Sequence, residues 1–210
     1  MRETFGPDTP TLTLDVSLDG SLSDAAAEIQ SRGLALDGVV HVIAMDRTIR
    51  GGQATPLLEV SRKDFLDCLD ISAYSLIAIL RALIERDGLR DGASVVSLSY
   101  LGAERVMSHP YRNIGIAKAA LERITKELAS ELGHERGIRV NAVRFSPWSA
   151  SRAGGAIPGL EDSVTTADAR SPLGNAKPAA LSLKVAHLMR PAVAITGEVR
   201  HVDGGYHILG

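Results

Sequence analysis

Apolar residues along this 210-residue chain fall into two kinds of run: short continuous or alternating stretches, and longer stretches spaced by three and four. Residues 11–16 alternate around Leu12 and Leu14, which predicts a short strand. Ser21 with Asp24 resembles a capping box and opens a predicted helix carrying Leu22, Ala25, Ala26 and Ile29, stopped near Gly33. Residues 38–44 are almost continuously apolar, as a parallel strand buried on both faces requires. After a loop with Gly52 and Pro56, Ser61 opens a long helix over 61–84 through Phe65, Leu69, Leu76, Leu80 and Leu83. Residues 94–99 form a predicted strand. From Tyr111 onward Ile114, Ala117, Leu121, Ile124 and Leu128 mark one buried helix face, with Gly133 placed to end it. A strand over 138–143, a helix over 178–189 and a strand over 198–202 follow. Strands alternating with helices predict an α/β protein, a Rossmann-like parallel sheet with helices on both faces, built as one domain over 1–210. The stretch 149–177 differs: Gly154, Gly155, Pro158, Gly159, Pro172 and Gly174 break any period, leaving a substrate-covering lid and a plain surface loop both open.

Composition narrows the class. An apolar content of 45% with 23% charged residues is that of a soluble globular domain. A net charge of −2 with both signs interspersed offers no attraction for nucleic acid or an anionic membrane. Cys68 is the one cysteine, so no internal disulfide forms, and a cytoplasmic setting is expected. The longest apolar stretch, 71–84, is interrupted by Arg81, and the N-terminus shows no hydrophobic signal segment.

The candidate chemistry lies in 97–132. Lys118 follows Tyr111 by seven residues, nearly two helical turns, so both are expected on one side of the helix. An ammonium beside a phenol favours the phenolate and lowers its pKa, as a general acid working near neutrality requires. Tyr100 lies just upstream. No group of residues has metal-ligand spacing. His41 reads as a core residue, His109 as a loop histidine, and His201 with Asp203 as a strand-end turn. Glu104 with Arg105 reads as a local ion pair, and residues 134–136 as a solvated helix end.

Tyr111-x6-Lys118 with Tyr100-Leu-Gly-Ala-Glu-Arg105 resembles the short-chain dehydrogenase/reductase superfamily, and within it the NADH-dependent enoyl-acyl carrier protein reductases. The resemblance continues through Asp37-Gly-Val-Val-His41, Asp70-Ile-Ser72, Gly137-Ile-Arg-Val-Asn-Ala142, Thr196-Gly-Glu-Val199 and His201-Val-Asp-Gly-Gly-Tyr206. It implies Tyr111, Lys118 and Tyr100 as catalytic residues, and Trp148, Met107 and Ala44 as substrate contacts. If NAD(H) binds, Asp15, Val16 and Ile43 are the implied cofactor contacts. It also implies a homodimer or homotetramer through helices 61–84 and 111–132, with a segment like 149–177 covering an acyl substrate.

Against that pattern, no glycine-rich strand–turn–helix for a pyrophosphate occurs, which reads as an N-terminally truncated, shortened sheet. Residues 11–16 are then expected to move inward and pair with 39–43. Ser146-Pro147-Trp148 replaces the family's Gly-Pro-Ile and sets an indole where a small aliphatic side chain would face the nicotinamide, and Met107-Ser-His-Pro110 adds a residue between the tyrosines. The leading expectation is therefore an acid–base enzyme without a cofactor, derived from an enoyl reductase, acting on an acyl or polyketide-like carbonyl compound that a carrier protein could deliver. Two alternatives stay open: an NADH-dependent enoyl-acyl carrier protein reductase, and a non-catalytic subunit.

Overall fold

In the computed structural model, which describes residues 6, 9–50, 52–151 and 154–209, the apolar runs assemble into a four-stranded parallel sheet. Its order is β1 (Leu36–His41), β4 (Leu89–Ser99), β5 (Arg139–Phe145), β6 (Val199–Val202), and a two-residue hairpin of β2 (Ile49–Arg50) and β3 (Gln53–Ala54) lies apart from it. The helices are α1 (Asp19–Ser31), α2 (Arg62–Leu69), α3 (Ser75–Ile84), α4 (Arg112–Arg136), α5 (Leu160–Arg170) and α6 (Pro178–Met189).

Strand β4 shows why helices cover both faces. Its successive side chains point to opposite sides. Ala93 and Val95 pack with Leu76 and Leu80 of α3 and with Leu121 of α4. Val96 packs instead with Leu188 of α6 and Val143 of β5. Each fully buried leucine contributes about 1.5–3 kcal/mol relative to exposure, so the α3–α4 face is the larger source of stability. The strand's serines are all bonded: Ser94 Oγ to the Leu188 carbonyl (2.8 Å), Ser97 Oγ to Thr125 Oγ1 (3.3 Å), Ser99 Oγ to Glu122 Oε1 (2.7 Å). At Gly38 a Cβ would collide with the Met189 methyl and the Ser94 carbonyl, so only glycine lets β1 and α6 close on β4 there.

The long helix expected over 61–84 is continuous but changes pitch. Ser61 caps α2 by accepting from the Asp64 amide at 3.1 Å. A π turn, Asp70–Tyr74, then joins α2 to α3. The wider turn aims serines at the end of β1. Ser75 Oγ meets His41 Nε2 at 2.8 Å, and Ser72 Oγ accepts from the Met45 amide at 3.0 Å. Helix α4 overruns its expected end at Gly133 by a turn and stops at Gly137. That residue takes φ 65°, with its amide on Gly133 O and the Ile138 amide on Leu132 O.

Residues 11–16 do not form the expected strand and do not pair with 39–43; among the described residues β1 pairs only with β4. The local bonds explain this. Asp15 accepts at Oδ1 from the Ser17 amide (3.0 Å), its carbonyl accepts from the Leu18 amide, and its own amide donates to Ser21 Oγ, so the chain turns into α1 instead of running on. The outer edge of β1 consequently leaves Val40 and, just beyond, Val42 exposed, unlike the doubly buried strand expected. The described residues of 149–177 also hold more regular structure than the glycines and prolines there suggest. They contain α5, whose Leu160, Ser163 and Ala167 are buried at spacings of three and four. No helix among the described residues is long and apolar enough to cross a membrane.

Candidate active site

Strand β4 ends at Ser99 and hands the chain to Tyr100 in an extended conformation, followed by a tight turn, Leu101–Ala103. The turn folds back over the tyrosine ring. A Cβ on Gly102 would collide with that ring, and one on Gly115 of α4 would press on the Gly102 carbonyl at 2.7 Å. Two glycines thus seat Tyr100 between the sheet and the start of α4. Its hydroxyl donates to the Tyr111 backbone carbonyl at 2.8 Å, and the two rings lie 5.7 Å apart. His109 completes an aromatic cluster, 5.9 Å from Tyr100 and 6.2 Å from Tyr111.

The cluster forms one wall of a chamber of about 200 Å³. The opposite side is the chain after β5, Phe145 to Trp148, and α5 with Leu160 and Ala167 closes it. Of the residues singled out in the sequence, Tyr100, Tyr111, Met107 and Trp148 all line this chamber. Lys118, Ala44, Asp15, Val16 and Ile43 do not. Ala44 is exposed in the loop after β1, and Asp15 is an exposed turn residue whose carboxylate is occupied by Ser17.

The expected coupling of Lys118 to Tyr111 is not present in this geometry. Tyr111 stands just before the first residue of α4, with φ −88° and ψ 50°, and the Lys118 charge is not among the influences on its phenol. The Lys118 ammonium is buried and donates to the Ile43 carbonyl at 2.9 Å. Burial lowers its pKa to about 8, against the opposing charges of Cys68 and Glu122. Tyr111 is shifted the other way, upward, chiefly by burial and then by Asp46 and Cys68. Tyr100 is raised for the same first reason. Both phenols are therefore proton holders at neutral pH.

An ammonium has three donors, and Ile43 takes one of those on Lys118. A buried cation with spare donors, beside the carboxyl ends of β1 and β4, fits the ribose-hydroxyl side of a dinucleotide bound at strand ends. No glycine-rich phosphate turn is found among the described residues, so the donor set fits the nicotinamide-ribose half alone.

A buried ionic network that no sequence spacing signalled holds this region together. Arg144 of β5 forks onto Glu122 of α4, Nε to Oε1 at 2.8 Å and Nη2 to Oε2 at 2.7 Å, and also pairs with Glu104. Glu104 does approach Arg105, at 3.8 Å, but Arg144 is its nearer partner. The turn after β6 adds a grouping the sequence spacing did not reveal: ligand-type atoms of His201, Asp203 and His207 lie within 4.8 Å of one another. Asp203 is occupied by the amides of Gly205 and His207 and by His207 Nδ1 at 2.9 Å. Arg144 Nη1 faces His201 Nε2 at 3.4 Å, which leaves the imidazole proton on Nδ1, toward Asp203. The contacts of Asp203 fasten the turn, while His201 Nδ1 keeps no hydrogen-bond partner among the described residues.

A parallel Rossmann-like sheet with an aromatic chamber at the carboxyl ends of its strands places the chain among the α/β proteins that bind ligands in that crevice. The family model described as enoyl-(acyl carrier protein) reductase matches residues 1–207, and the chain belongs to that family. It is 38% identical to enoyl-[acyl-carrier-protein] reductase [NADH] FabI of Aquifex aeolicus, over 98% of this chain and 74% of that protein. With the Bacillus cereus FabI the identity is 34%, over 98% and 78%. Among solved structures, the FabI–NADH complex of Alistipes finegoldii superimposes with a TM-score of 0.86 at 28% identity, covering 93% of this chain and 69% of that one. These similarities overturn the expectation of a cofactor-independent enzyme: relatives matching almost the whole chain are named as NADH enzymes, and one was solved with NADH. Similarity over nearly the whole chain outweighs the lack of a glycine-rich turn among the described residues.

Proposed function

We propose that the chain is an NADH-dependent enoyl-thioester reductase that takes its acyl substrate from acyl carrier protein in a cytoplasmic setting. The observation that carries this reading is the similarity to NADH-named enoyl reductases across 98% of the chain, spanning both the chamber and the Lys118 position. When bound, the nicotinamide supplies a hydride for the β-carbon of the enoyl group. Lys118 holds ribose hydroxyls with its free donors and keeps its remaining bond to Ile43. Tyr111, raised in pKa and hence protonated, donates from Oη to the thioester carbonyl oxygen, where negative charge grows as the double bond is reduced. Tyr100 acts through its bond to the Tyr111 carbonyl and fixes that residue's backbone. Trp148 and Met107 flank the acyl chain, and segment 149–177, through α5, covers it and excludes water. Exposed Leu66 and Tyr74, between Arg62 and Ile84, and Ile116 on α4 are the apolar surface for a homo-oligomer through these helices.

The test is NADH oxidation with an enoyl-acyl carrier protein. The wild-type chain is expected to oxidise NADH in proportion to enoyl thioester, and Tyr111→Phe to lower kcat by about 10²-fold or more, as loss of a positioned proton donor does. Calorimetry showing no NADH binding at millimolar nucleotide, with no turnover, would overturn the reading.

A further inference from the structure

The chamber wall contains a titratable side chain that the chemistry above leaves unused. His109 is 6% exposed, and its Nδ1 is buried with no hydrogen-bond partner among the described residues. Leaving a buried polar atom unpaired costs about 1–3 kcal/mol, so the protein retains an imidazole where a phenyl ring would pack against the tyrosines at lower cost. Across the chamber, the Ser163 hydroxyl of α5 is also buried and unpartnered. Several other polar groups of the lining are already paired. Tyr100 Oη is held by the Tyr111 carbonyl, Ser99 by Glu122, Ser146 by the Ala176 amide, and Asp203 by its own turn. An apolar space whose facing walls carry side chains with unpaired polar atoms is arranged for a ligand that is mostly hydrocarbon with a polar head.

We propose that His109 is a further substrate-binding residue, whose imidazole donates a hydrogen bond to the carbonyl oxygen of the acyl thioester. The inference rests on the enoyl-thioester reading. A thioester oxygen has two lone pairs, so Tyr111 and His109 together saturate it, from two sides of the same aromatic cluster. Tyr100, with its only proton committed to a backbone carbonyl, cannot supply the second bond without leaving its seat. Burial also lowers the His109 pKa, which keeps the ring neutral in the resting chamber and gives it one N–H to offer.

A saturated, non-reducible probe, the butanoyl thioester of N-acetylcysteamine, separates this inference from turnover. Its binding is measured by calorimetry on the wild type, His109→Phe and His109→Gln, with the imidazole ¹⁵N resonances of the wild type followed in parallel. Expected are affinity weakened about fivefold to tenfold by His109→Phe, the loss of one neutral hydrogen bond, recovery in His109→Gln, and a ¹⁵N shift of His109 on addition of the thioester. Equal binding by all three, or an unmoved ¹⁵N resonance, would overturn the inference, as would a wild type that does not bind the probe. Thioester binding that follows the expected order without any NADH oxidation would instead sink the reductase reading and leave the His109 contact standing.

Discussion

Lys118 shows how function and stability oppose each other at a single residue. Its pKa falls from an ordinary 10.5 to about 8, so at neutral pH the fold holds a cation it would be more stable without. A shift of that size corresponds to about 3 kcal/mol of unfavourable burial. Lys118→Met removes the charge but orphans the Ile43 carbonyl, at a cost of about 1–2 kcal/mol. The expected outcome is a variant about 1 kcal/mol more stable by urea unfolding that no longer binds NADH; a less stable variant would show the ammonium to be structural. The sequence made Lys118 and Tyr111 visible as a pair because both lie in one periodic stretch. That the ammonium is spent on the Ile43 carbonyl was invisible, since Ile43 lies 75 residues away in the chain. His109 offered no signal beyond proximity: its cluster with Tyr100 and Tyr111 arises from how the turn at Gly102 folds back.

Between elements, the buried Arg144 fork is the main polar fastening. It joins β5 to α4 and to the turn after Tyr100, so it fixes the chamber wall relative to the sheet. Arg144→Leu leaves Glu122 buried with only a bond from Ser99 and is expected to cost about 3–5 kcal/mol. Arg144→Leu combined with Glu122→Leu should recover most of that loss. If the double variant is no more stable than the single one by urea unfolding, the fork is not the source of the effect. No periodicity could reveal this pair, because 22 residues separate its members. Helices α4 and α6 and strands β4 and β5 were legible, because burial of a continuous or periodic apolar run dominates there. Residues 11–16 were not, because Leu12 and Leu14 alternate as a strand would while Asp15 and Ser17 commit the backbone to a turn. Helix α5 was hidden for the opposite reason: its buried face is Leu160, Ser163 and Ala167, too small and polar to register as a stripe.

For the molecule as a whole, acid sensitivity should come in part from His41. Burial, reinforced by the Lys118 charge, lowers its pKa from 6.5 to about 4. Between those values the unfolded chain binds a proton that the folded chain does not, so stability falls as pH drops from 6.5 to 4 and is full above 6.5. The loss amounts to about 3 kcal/mol at the acid end. Asp203 acts in the same direction further down: burial raises its carboxyl, but bonds from His207 and Gly205 outweigh this and hold it low. Melting temperatures from pH 7 to pH 4 should fall less steeply in His41→Gln, which keeps a polar partner for Ser75. An unchanged slope would assign the acid loss to other groups.

The carbonyl of Tyr111 accepts two donors: the Tyr100 hydroxyl and, at 3.1 Å, the amide of Gly115. That amide closes the first turn of a 25-residue helix, so the opening of the helix and the resting place of a side chain in the chamber share one atom. A ligand that draws the tyrosine away relieves the competition on that oxygen and tightens the turn beneath it. Deuterium uptake at Gly115 would then slow for a ligand that displaces Tyr100 and stay unchanged for one that leaves it seated, a readout of that tyrosine's position that requires no chemical turnover.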